Sequence, residues 1–94
     1  MSTTIGEKIK SIREAEKITQ KEFCEITEFK IDTLKNYESK RREPSFQAIQ
    51  KICAAFPQYT MYLMHEKMPV PAVEGQYTPE EKLQRDLNSQ EKHA

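Results

Sequence analysis

Within residues 30–42 the chain sets five cations, Lys30, Lys35, Lys40, Arg41 and Arg42, against two carboxylates, Asp32 and Glu38. The whole chain is neutral, with 15 Lys and Arg against 15 Asp and Glu, so the excess is local. A local cationic edge suits a row of phosphates; a solvated charged face has the same composition, and charge alone leaves both readings open. Other chemistry is poorly served. His65 and His93 stand apart without ligand spacing, so no metal is expected. There is no nucleophile–base pair, and two glycines are too few for a phosphate-cradling loop, so neither an enzyme nor a cofactor is expected.

These side chains need short helices to position them. Thr4 and Glu7 form a T-x-x-E start, and Ile5, Ile9 and Ile12 mark one apolar face of a first helix ending near Glu16 or Lys17. Thr19 and Glu22 repeat the capping signal before a second helix over residues 20–26. A third, over residues 30–39, carries Leu34 and Tyr37 inward, with Phe29 plugging the gap before it. Pro44 closes the polar loop KRREPS. Ser45 then caps a fourth helix with Phe46, Ile49, Ile52, Cys53 and Phe56 at helical spacing. Pro57 breaks it, and YTMYLMHEK reads as a fifth helix with Tyr59, Tyr62 and Leu63 facing in.

After Lys67 the pattern changes. MPVPAVEGQY, with two prolines, a glycine and β-branched residues, predicts an extended segment. Thr78-Pro79-Glu80-Glu81 opens a weak last helix whose apolar pair is Leu83 and Leu87, and NSQEKHA reads as disordered. No run approaches the roughly 20 apolar residues of a membrane span, and MSTTIGEKIK lacks the apolar stretch of a secretory signal. A soluble cytoplasmic protein with no membrane association is therefore expected. In that setting Cys24 and Cys53, each inside an amphipathic helical segment, read as buried thiols and not as a disulfide.

The central unit, TQKEFCEITEFKIDTLKNYES, places Phe23, Phe29, Leu34 and Tyr37 around a tight turn, with small Cys24 where two helices cross. That is the layout of a helix-turn-helix. Glu28 falls where a left-handed backbone, easiest for glycine, is expected, and Lys40 departs in the same way in the next loop.

With IREAEKITQKEF before it and NYESKRREPS plus an amphipathic helix after it, the chain resembles the lambda-repressor-like (Cro/XRE-type) helix-turn-helix proteins over residues 5–66. Within them it is similar to the short C-type immunity repressors of P-two-like temperate phages, through TLKNYESKRREP, YTMYLM and a Pro-rich segment ending in EGQYTPE. The resemblance implies an all-α, five-helix domain whose third helix lies in the major groove of double-stranded operator DNA.

Helical spacing together with the family pattern then makes Ile31, Asp32 and Asn36 the base readers. Asn36 suits adenine, Asp32 can accept from cytosine N4, and Ile31 can touch a thymine methyl; Asp32 can equally serve only the helix dipole. Gln20, Lys30, Thr33, Lys35, Lys40, Arg41 and Arg42 are the expected phosphate contacts. The resemblance also implies an ion pair between Arg13 and Glu38 that ties the first helix to the end of the third.

A small core gains from oligomerisation. Tyr62, Met68, Val70, Val73 and Tyr77 are expected at a homodimer interface, with the segment crossing the partner as a strand; folding back on its own core is the alternative. The organisation expected is a DNA-binding domain over residues 1–67, an extended dimerisation segment over 68–78 and a weakly helical or disordered tail over 79–94. A dimeric repressor maintaining phage lysogeny is the leading reading. An antitoxin-type regulator with a further protein partner, or an interaction module that has lost DNA binding, are the alternatives. No small-molecule ligand is evident.

Overall fold

The computed structural model describes residues 4–65 and 73–92, with side chains to residue 89. It is all-helical among those residues. The order is α1 (Ile5–Ala15), α2 (Gln20–Thr27), α3 (Ile31–Glu38), α4 (Phe46–Ala55), a 3-10 turn (Pro57–Tyr59), α5 (Thr60–Met64) and α6 (Pro79–Lys92). None of these helices is long and apolar enough to cross a membrane.

The starts of α1, α2 and α4 are each fixed by a side chain that satisfies an otherwise unpaired amide. Thr4 accepts from the Glu7 amide at 3.2 Å. Thr19 and Glu22 form both halves of a capping box at 3.1 and 2.9 Å. Ser45 accepts from the Ala48 amide at 3.1 Å. The Glu7 carboxylate does not return to Thr4; it pairs with Lys40 at 3.1 Å, joining the α1 start to the loop after α3.

The ends of α1, α2 and α3 share one device. Lys17, Glu28 and Lys40 adopt φ of 59°, 64° and 66°. Each reverses the chain so that the following residue donates to a carbonyl five back: Ile18 to Arg13, Phe29 to Cys24, Arg41 to Asn36. This is the left-handed helix stop usually given to glycine. Glu28 and Lys40 stand as the sequence led us to expect; Lys17 carried no such signal.

The core is built from Ile9, Ile12, Phe23, Leu34, Ile52 and Tyr59, all fully buried. Phe23 stacks on Phe56 at 5.5 Å, and Phe29 stands edge-on to Tyr37 at 5.9 Å while also meeting Phe23, so it does plug the gap between α2 and α3. Cys24 is buried as a free thiol and Cys53 is half-buried and free. Gly6 lets the first turn of α1 pass over the end of α3: a Cβ there would collide with the Tyr37 carbonyl oxygen.

Several expectations for the outer elements are corrected. Phe46 is 67% exposed, because the first residue of α4 precedes the stretch from Ala48 to Phe56 that the core covers. Residues 73–77 form a turn, with the Gln76 amide donating to the Val73 carbonyl at 3.0 Å and Gly75 at φ 81°. Gln76 then clamps its own chain: its side chain donates to the Pro57 carbonyl and accepts from the Met61 amide, both at 2.8 Å. The Tyr77 amide donates to the Gln58 carbonyl, and its ring stands edge-on to Tyr59 at 5.1 Å. No strand occurs among the described residues.

Tyr62 is likewise buried, with the Lys8 ammonium over its ring at 5.7 Å. Tyr62 and Tyr77 thus both pack within their own chain, Tyr77 half-buried. Val73 is exposed, and Met68 and Val70 lie outside the described residues. The last helix is firmer than its sequence suggested. Thr78 and Glu81 complete a second capping box, and α6 continues through residues 88–92, which read as disordered. It packs along α1, with Pro79 buried and a Lys17–Asp86 ion pair at 3.7 Å, leaving Leu83 and Leu87 exposed.

Candidate nucleic-acid interface

α3 turns Leu34 and Tyr37 into the core, so helical spacing leaves Ile31, Asp32, Lys35 and Asn36 on the opposite arc. Ile31, Asp32 and Lys35 are exposed; Asn36 is half-buried at the arc's edge. Among the described residues no hydrogen bond engages the side chains of Asp32 or Asn36, so Asp32 retains its acceptors and Asn36 both its donor and its acceptor. Thr33 is half-buried beside this arc. Lys30 stands at the N-cap, where it makes no side-chain cap.

The loop after α3 is closed by the Asn36 carbonyl. It accepts from the amides of Arg41 at 2.9 Å and Arg42 at 3.3 Å, and from the Ser39 hydroxyl at 3.3 Å. This fold-back holds two exposed arginines beside the end of α3. Neither has a carboxylate within ion-pair distance among the described residues, and the same holds for Lys30 and Lys35. Lys40 differs, since it is paired with Glu7.

Arg13 and Glu38 form the pair the resemblance implied. Arg13 Nε donates to Glu38 Oε2 at 2.8 Å and Nη2 to Oε1 at 3.0 Å, while Nη1 reaches the Ile18 carbonyl at 3.1 Å. The side chains are 16% and 6% exposed. A two-point geometry of this kind is directional as well as strong. The hydrogen bond to Glu38 holds the Arg13 pKa above its ordinary value.

Gln20 has a partner within the chain. Its amide donates to Glu38 Oε1 at 3.2 Å, so the side chain supports the ion pair and fixes the start of α2 relative to the end of α3. Beside it lies an open depression of about 660 Å³ lined by Lys10, Thr19, Gln20, Lys35 and Ser39 with the ion pair as its floor. Lys10 was not singled out in the sequence. Its position one helical turn before Arg13, on the same face of α1, is the signal that finds it.

The arrangement is suited to binding. Burial raises the Cys24 pKa, which keeps it a thiol. Among the described residues no group of three His, Cys, Asp or Glu could hold a metal ion. In comparisons with known proteins, a helix-turn-helix family model matches residues 9–63, more than half of the chain. No curated protein matches.

Proposed function

The chain belongs to the Cro/C1-type helix-turn-helix family, whose members are DNA-binding regulators and not enzymes, and on that premise we propose a phage immunity repressor that occupies its operator and excludes polymerase. The observation that carries the reading is the exposed arc of α3. Ile31, Asp32 and Asn36 present an apolar, an acceptor and a mixed amide group to solvent, flanked by Lys30, Lys35, Arg41 and Arg42 that no carboxylate engages among the described residues. Distinct groups on a major-groove helix read base edges, while the surrounding cations hold phosphates.

Lys10 joins the phosphate contacts through the depression it shares with Lys35. Lys40 and Thr33 serve beside them, Lys40 by exchanging Glu7 for a phosphate. Gln20 acts chiefly through Glu38. The repressor works as a homodimer, because one such helix reads only a few base pairs and two half-sites lie about 34 Å apart. Among the described residues of segment 68–78, exposed Val73 is an apolar residue that supports a contact there.

Footprinting on the DNA flanking its own gene tests the reading. Asn36→Ala should lose about 1–3 kcal/mol of discrimination at one base pair per half-site. Lys35→Ala should weaken all sequences alike and lower the salt slope by about 1. Wild-type protection and affinity in Asn36→Ala would remove Asn36 from the reading set. The absence of any protected site would remove the repressor assignment.

A further inference from the structure

A second concavity lies away from the reading arc, between the first turn of α1, the loop after α3 and the end of α5. Its volume is about 660 Å³, within the range of sites for small molecules. Ile5, Tyr37, Pro44, Leu63 and Met64 supply apolar walls. Lys8, Lys40 and Arg42 supply cations against Glu43, the one carboxylate in the lining among the described residues.

Lys8 is the unusual member. It is 4% exposed, yet its ammonium has one hydrogen bond, to the His65 carbonyl at 2.7 Å, and the Tyr62 ring at 5.7 Å. No carboxylate lies within ion-pair distance of it among the described residues. A buried cation is normally paired, because removal from water is otherwise poorly compensated. Burial accordingly pulls its pKa below the ordinary lysine value. Arg42, at the exposed rim, also has no carboxylate partner among the described residues.

We propose that this concavity binds a small amphipathic anion, a carboxylate on a short apolar body, with Lys8 and Arg42 taking the charge and Leu63, Met64 and Ile5 the chain. The carboxylate supplies the counter-charge that Lys8 lacks, and the apolar body covers the walls. Because Arg42 and the loop from Lys40 to Pro44 also flank the end of α3, an occupied site competes with DNA for the same cations.

The test is an amide-resolved NMR titration of the full chain with hexanoate, and with hexanamide as its neutral counterpart. It reads no DNA, so its outcome is independent of the operator assignment. Hexanoate should give saturable shifts at Gly6, Lys8, Tyr37 and Leu63, and hexanamide should not. Lys8→Met should weaken the affinity at least ten-fold, and Arg42→Gln about three-fold. Arg42 is exposed, so that variant decides the matter if Lys8→Met does not fold. Shifts that never saturate, equal response to hexanamide, shifts that map elsewhere, or wild-type affinity in folded Lys8→Met would each overturn the site. The last result would leave Lys8 as a cap on α5 alone.

Discussion

α1 is held on two sides by carboxylate chemistry of opposite kinds. Towards α3, Arg13 meets Glu38 as two charges in a fork. Towards the C-terminal elements, Glu16 accepts from the Tyr59 hydroxyl at 2.8 Å and from the Gln58 amide at 3.3 Å. The first clamp sets the angle of the helix proposed to enter DNA; the second holds the 3-10 turn and, through Tyr77, α6. A guanidinium stays charged at every pH the protein will meet, whereas a phenol donates only while it keeps its proton. The two halves of the molecule should therefore fail under different conditions.

The largest effect is expected at the ionic clamp. Glu38→Ala leaves the Arg13 guanidinium largely buried without its partner and frees Gln20, and should cost about 3 kcal/mol, measured by urea unfolding. The double change Arg13→Met with Glu38→Leu should recover most of that loss, since it leaves no orphaned charge. Destabilisation in the double variant equal to or greater than that in Glu38→Ala would show that the fork does more than avoid a penalty. Arg13→Ala should lower stability before it alters the base preference.

The second clamp should yield to alkali. Tyr59 is buried, and burial first, then the Glu16 hydrogen bond, push its pKa far above the ordinary 10.0. The folded state keeps a proton that the unfolded chain releases, so this contribution is intact below about pH 10 and is lost as pH rises beyond it. The slope approaches about 1.4 kcal/mol per pH unit for one proton. Tyr62 shifts the same way through burial, while Lys8, shifted down, opposes them. Tyr59→Phe should cost about 1.5 kcal/mol at neutral pH, by loss of a hydrogen bond to a carboxylate, and should flatten the alkaline limb. An alkaline limb unchanged in Tyr59→Phe would assign it to another group.

These two clamps were not equally legible in the sequence. The apolar frame of α1 to α3 follows from spacing, because Ile9, Ile12, Phe23, Leu34 and Tyr37 recur on faces that must meet. The Arg13–Glu38 pair came with the family resemblance. Glu16 read only as a helix end and Tyr59 only as an inward aromatic. Periodicity reports that a side chain needs cover, not which segment covers it. Spacing therefore leaves Tyr77 open to a partner or to its own core, and Gln76, with two polar bonds that leave no periodic trace, holds the segment beside it to its own chain. Phe46 shows the complementary failure, since spacing cannot reveal where a helix outruns its cover. Lys8 reads as a surface lysine by its type, although its place one turn along from Ile5 puts it on the apolar face, and it is almost wholly buried.

The smallest expected effect separates both clamps from the backbone that carries them. Lys17, Glu28 and Lys40 all adopt a left-handed conformation that an L-residue reaches at a cost of roughly 1–2 kcal/mol, part of which glycine returns as unfolded-state entropy. Lys17 and Lys40 also make ion pairs with Asp86 and Glu7, which glycine would remove. Glu28 makes none among the described residues and its side chain is exposed, so it isolates the backbone effect. Glu28→Gly should stabilise by about 0.5–1 kcal/mol, a rise of roughly 5 °C in Tm for a chain of this size. Lys40→Gly should gain less. Glu28 touches neither clamp, so its glycine variant should shift the whole pH profile upward without changing the alkaline slope. A changed slope would mean that the turn between α2 and α3 is coupled to Tyr59 through the stacked Phe23 and Phe56, and that the two sides of α1 do not fail independently.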